Sequence, residues 1–111
     1  MAKGEVNEKY RVPDEIWKQI ESLLPPEFPK PEGGRPRMDS RKAMEAILHV
    51  LRTDCEWNSL PGELGVPGTV YERFEEWRDA GVFQRMWKAG LLEYNELRTL
   101  FWHGRWHMKR R

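Results

Sequence analysis

Much of the usual equipment for chemistry is missing from this sequence. It has one cysteine in 111 residues, Cys55, which excludes an internal disulfide and a thiolate metal cluster and agrees with a reducing compartment. Cys55 itself reads as a buried, inert thiol. No window approaches the roughly 18 apolar residues of a spanning helix, and the start, Met1-Ala2-Lys3-Gly4-Glu5, has no apolar stretch behind its lysine. A cytoplasmic protein with no membrane partner is expected. Period-two alternation and internal repeats are lacking. So are a Ser/His/Asp order, a phosphate-binding glycine loop and a metal-ligand cluster, so no catalytic site and no cofactor are expected. His103 and His107 stand four apart, a spacing metal sites use on helices, but no third ligand or glutamate base accompanies them. Net charge is also nearly absent, 19 Lys+Arg against 18 Asp+Glu.

Large apolar side chains are present. Six Trp, four Phe and three Tyr supply an interior even though 33% of residues are charged. One domain accounts for the length, with no room for a second catalytic fold beside it. The charge is segregated. Residues 30–53 hold six basic groups against three acidic, residues 54–81 two against seven, and residues 97–111 five against none. Such asymmetry says more about partners than the net value does.

Hydrophobic spacing predicts an all-α bundle of about five helices. A first helix lies within residues 10–24, opened by Pro13-Asp14-Glu15 and carrying Ile16, Trp17, Ile20, Leu23 and Leu24. Residues 25–38 are Pro, Gly and charge, an extended linker. Asp39 or Ser40 caps a second helix to Thr53, with Ala43, Met44, Ile47, Leu48 and Leu51 inward and Arg41, Lys42, Glu45 and Arg52 outward. A short helix over 59–65, capped by Ser59 and closed by Gly65, precedes a helix over 68–79 with Val70, Tyr71, Phe74 and Trp77 inward. A long helix over 82–106 carries Phe83, Met86, Trp87, Leu91, Tyr94, Leu97 and Phe101. Its interior Gly90 costs about 1 kcal/mol relative to Ala. Residues 107–111 form a basic tail. Trp17, Trp57, Trp77 and Trp87 are expected in the core.

The order helix, short helix, tight turn, helix over residues 39–81 suits a helix-turn-helix, in which the last helix enters a major groove. Three-helix bundles without any DNA role share that order.

The residues also carry a resemblance. Asp14-Glu15-Ile16-Trp17, Gly34-Arg35-Pro36-Arg37 with Arg41, Ala46-Ile47-Leu48, Leu51-Arg52-Thr53-Asp54-Cys55-Glu56-Trp57, and Thr69-Val70-Tyr71-Glu72-Arg73-Phe74-Glu75-Glu76-Trp77 follow one another in register. Over about residues 10–95 the chain resembles the N-terminal domain of bacterial insertion-sequence transposases of the DDE type, of the insertion-sequence four/five superfamily. The resemblance implies a helix-turn-helix domain that recognises the terminal repeats of a mobile element on double-stranded DNA, in the nucleoid. It places catalysis in a following ribonuclease-H-like domain whose three carboxylates bind two metal ions. Residues 98–111 do not resemble that continuation, so the expectation is a chain that is not itself an enzyme and works with a separate catalytic transposase chain or by self-association.

The DNA-binding residues expected are Arg35 and Arg37 on an extended arm suited to a minor groove, and Arg41 and Lys42 at the start of the next helix. Thr69, Arg73 and Arg78 are expected on the outer face of helix 68–79, Arg73 to read guanine, and Arg105, Lys109, Arg110 and Arg111 in the tail, for phosphates. Relatives tend to carry more arginines on that helix, where Glu72, Glu75 and Glu76 stand here. The competing reading is a protein-interaction or oligomerisation module, with the Trp-rich helix 82–106 against a partner chain and the acidic 54–81 segment against a basic surface.

Overall fold

The computed structural model describes residues 10–26 and 37–99, and among these there is no strand. The fold is all-α. Helix α1 (Asp14–Glu21) follows Pro13, and its first turn carries Asp14 and Glu15 at the positive end of the helix dipole. It is shorter than the 10–24 span predicted, because residues 22–24 close in turns ahead of Pro25-Pro26.

Helix α2 (Ser40–Thr53) is the central element. Asp39 is its cap: the carboxylate accepts the N–H of Lys42 at 3.1 Å, a bond worth about 1 kcal/mol. Ala43, Met44, Ala46, Ile47, Leu48, Val50 and Leu51 are all buried. A helix covered on nearly every side has no solvent stripe, which corrects one expectation: Glu45 does not face outward but is buried with them. Arg41 is likewise drawn in and half-buried.

Between residues 57 and 64 the chain makes two short 3-10 turns, Trp57–Ser59 and Gly62–Leu64, in place of the single helix predicted. Ser59 is the last residue of the first turn rather than a cap. Pro61 separates the two turns because it has no N–H for a continuous helix. Trp57 and Leu64 are buried there, and the first turn packs on α3, the second on α2.

Helix α3 (Pro67–Asp79) has Pro67 in its first turn, where a missing N–H costs nothing. Val70, Phe74 and Trp77 enter the core beside α2, and the rings of Trp57, Tyr71, Phe74 and Phe83 form a chain of contacts 5.1–5.9 Å between centroids. Gly81 then turns the chain into α4 (Val82–Lys88), which packs on α3, Phe83 against Phe74, and buries Val82, Phe83 and Met86.

The long helix predicted over 82–106 is broken. Gly90 adopts φ +75°, Leu91 N–H donates to Met86 at 2.8 Å and Gly90 N–H donates to Trp87 at 3.0 Å. This pair of bonds is a Schellman motif that ends α4. A further helix, α5, is present over residues 94–99, and Glu96 reaches back to accept the N–H of Glu93 at 2.9 Å, as a capping box does. The break turns Trp87 (42% exposed) and Tyr94 (68% exposed) out of the core, against the expectation for both. Cys55 is half-buried rather than fully enclosed. No helix among the described residues is long and apolar enough to cross a membrane.

Candidate nucleic-acid interface

The basic stretch that precedes α2 is joined to α3 by two contacts and to Gly65, just before α3, by a third. Arg73 is only 4% exposed, and its Nη1 and Nη2 donate to the carbonyl oxygen of Met38 at 3.0 and 2.8 Å. Its guanidinium lies 5.1 Å over the Trp77 ring. Met38 in turn rests on Gly65: a Cβ at that position would stand 2.8 Å from the Met38 methyl carbon, and the backbone there holds φ +117°, a conformation glycine tolerates. Finally Arg37 Nη2 bonds Glu76 Oε1 at 2.7 Å on the surface of α3.

This geometry corrects the reading of Arg73 as an outward residue. Its side chain is spent on the backbone of the arm, so the guanidinium fork is turned away from solvent. A signal in the sequence points inward: Arg73 follows Val70 by three residues and precedes Trp77 by four, which puts all three on one face.

The exposed face of α3 carries Thr69, Glu72, Glu76 and Asp79, with Glu75 and Arg78 half-exposed. Arg78 is held along the helix by Asp79 at 3.3 Å and Glu75 at 3.9 Å, and lies 5.7 Å over the Phe74 ring. Partial burial, then the neighbouring Glu75, push the Tyr71 hydroxyl above its ordinary range, so it stays protonated. At the other end no side chain caps α3, and Gly68 and Thr69 in its first turn are exposed residues.

Arg41 does not form a free patch with Lys42. It donates to the carbonyl oxygen of Val12 and, at 2.7 Å, to Asp14 Oδ1, while its Nε stands 3.5 Å from Glu45 Oε2. The hydrogen bond and charge of Arg41 hold the Asp14 carboxyl below its ordinary range. Lys42, half-exposed, makes no ion pair among the described residues. Arg35, Arg105, Lys109, Arg110, Arg111, His103 and His107 lie outside the described residues, and among those described no group of His, Cys, Asp and Glu is arranged to hold a metal.

Two arginines whose partners the sequence does not reveal fix the rest of the frame. Arg52 on α2 bonds the buried Glu96 at the start of α5, and Arg85 on α4 donates to the carbonyl oxygens of Leu23 and Ala80. Arg37 and Met38, at one end of the basic arm, are thus held against α3.

The family model described as "Putative transposase of IS4/5 family" matches residues 12–87, from the Val12 anchor to α4. The chain belongs to this family. It is 40% identical over 79 residues to "Insertion element IS402 uncharacterized 16.2 kDa protein" of Burkholderia cepacia, covering 68% of this chain and 54% of that one. It is 30% identical over 73 residues to "Uncharacterized protein y4sN" of Sinorhizobium fredii (strain NBRC 101917 / NGR234), covering 66% of this chain and 57% of that one. The matched region thus spans just over half the length of these curated relatives. No solved structure matches the chain.

Proposed function

We propose that this chain is the DNA-recognition module of an insertion-sequence transposase. In this reading α2 is the scaffold of a helix-turn-helix, the two 3-10 turns are its connector, and α3 is presented to a major groove of the element's terminal repeats. Phosphoryl transfer belongs to a separate carboxylate-bearing domain or chain, and the protein works in the cytoplasm on nucleoid DNA.

The observation that carries the reading is the double hydrogen bond from Arg73 to the Met38 carbonyl oxygen. It fixes the end of the basic arm to α3, where Arg37 reaches Glu76 on the exposed face, the juxtaposition a protein needs to follow a groove and its flanking backbone together. Arg37 and Lys42 are assigned to phosphates, and Thr69, in the first turn of α3 that no side chain caps, to a phosphate or base edge. Arg78 lies at the rim. Arg35 and the tail residues Arg105, Lys109, Arg110 and Arg111 add salt-sensitive backbone contacts. Arg73 supports the arm and leaves the base-reading set, as Arg41 leaves the phosphate-binding set by its pairing with Asp14 and Val12.

The test is a fluorescence-anisotropy titration of a duplex carrying the inverted repeat that flanks the gene, beside a mixed-sequence duplex. Tighter binding to the repeat, weakened by Arg37→Ala and Lys42→Ala, is expected. No binding to either duplex, or binding indifferent to both substitutions, contradicts the reading.

A further inference from the structure

Glu76 occupies an unusual position for a helix assigned to DNA. Its carboxylate sits on the exposed face of α3, is 44% exposed, and meets the arginine that leads into the arm at 2.7 Å. A carboxylate and a phosphate offer a guanidinium the same thing, a pair of anionic oxygens in reach of two N–H donors. One turn earlier on the same face stands Glu72, exposed and without an ion pair among the described residues. The two glutamates therefore carry the same charge over the same surface, but one of them is bonded to the arm.

We infer that the Arg37–Glu76 pair is an autoinhibitory latch, in which Glu76 stands in for a DNA phosphate and must be displaced before Arg37 can bind one. The inference rests on the DNA-binding reading above. Binding exchanges the Glu76 carboxylate for a backbone phosphate and leaves Glu76 facing the duplex, so each encounter is opposed twice, by the broken pair and by the released charge. On mixed-sequence DNA, where phosphate contacts supply nearly all the attraction, that opposition falls directly on affinity. Glu76 thereby holds down non-specific binding. On the terminal repeat the base contacts of α3 offset the same opposition, so the repeat stays bound under conditions where mixed-sequence DNA does not. The frame is suited to the task. Met38 is fixed by Arg73 and Gly65, so exchange of Glu76 for a phosphate at Arg37 leaves the Met38 end of the arm on α3.

Glu76→Gln and Glu72→Gln are both surface changes on a formed helix, and each removes one negative charge from the same face. They are compared in titrations of a mixed-sequence duplex of about three helical turns, alone and combined with Arg37→Ala. Because an exposed ion pair is a weak interaction, the latch predicts that Glu76→Gln tightens binding about twofold to fivefold more than Glu72→Gln does. In the Arg37→Ala background that excess vanishes and the two substitutions become equivalent. Equal gains for the two glutamines with Arg37 present overturn the latch while leaving the DNA-binding reading in place. Failure of every form to bind either this duplex or the terminal repeat overturns both.

Discussion

Buried Glu45 accepts the backbone N–H of Val12 at 2.8 Å, and the same carboxylate faces Nε of Arg41, whose Nη2 donates to the Val12 carbonyl oxygen. Both backbone polar groups of Val12 are thus satisfied by α2, and a non-helical segment is attached to the core through a side-chain ion pair. Glu45 is only 4% exposed, so each of its partners would be left buried without it.

Glu45→Ala is expected to cost about 2–3 kcal/mol, the loss of a buried acceptor and of a charge partner for Arg41. Glu45→Gln should cost less, since the amide oxygen can still accept from Val12. Urea unfolding of the three proteins checks both the size and the order.

Arg73→Ala removes two hydrogen bonds to Met38 and the cation over Trp77, and about 2–4 kcal/mol of stability should go with it. Arg73→Lys should recover less than half of that, because an ammonium cannot reproduce the paired donors of the guanidinium. Thermal melts measure the stability. Lost DNA affinity in the lysine form at a temperature where it remains folded would report the positioning of the arm.

Gly90 separates two accounts of the C-terminal region by sign. In an unbroken helix Gly90→Ala would stabilise by about 1 kcal/mol. In the observed Schellman turn, with φ +75° and open space around the position, the methyl group meets no neighbour but the backbone conformation disfavours it, and a loss of about 1 kcal/mol is expected. The urea midpoint decides.

Asp14 links stability to pH. Its carboxyl is held below the ordinary range, near 3.9, by the hydrogen bond and charge of Arg41. A group depressed on folding contributes its stabilisation above the unfolded pKa and loses it as pH falls through the folded one. Acid unfolding should therefore lose a contribution below about pH 4, and Asp14→Asn should reduce the difference between unfolding midpoints at pH 7 and in acid.

The parts of this structure legible in the sequence are those that local chemistry decides. Asp39 announces the start of α2, Pro67 the start of α3, and Pro25-Pro26 the end of α1's neighbourhood, since caps and prolines act over a few residues. Val70, Phe74 and Trp77 keep helical spacing and are buried as predicted. What failed to show is set by partners distant in the chain. Glu45 is buried because Val12, 33 residues earlier, lies over it, and Arg37 meets Glu76 across 39 residues. The break at Gly90 is concealed differently. Met86, Leu91 and Leu97 continue an apolar rhythm across two helices, and Glu93 with Glu96, a capping pair, is the sign of a new start. Arg73 misleads because a charged residue is ordinarily assigned to solvent, although its spacing puts it with Val70 and Trp77.

Whether Arg35 and Arg37 bind the DNA backbone is read from the salt dependence of affinity for the terminal-repeat duplex. The wild-type chain should show log Kd rising linearly with log salt concentration. The Arg35→Ala/Arg37→Ala double variant should show a slope smaller by about 2, one unit for each phosphate that is no longer neutralised. Identical slopes for the two proteins, or an affinity that does not change with salt, would contradict the account.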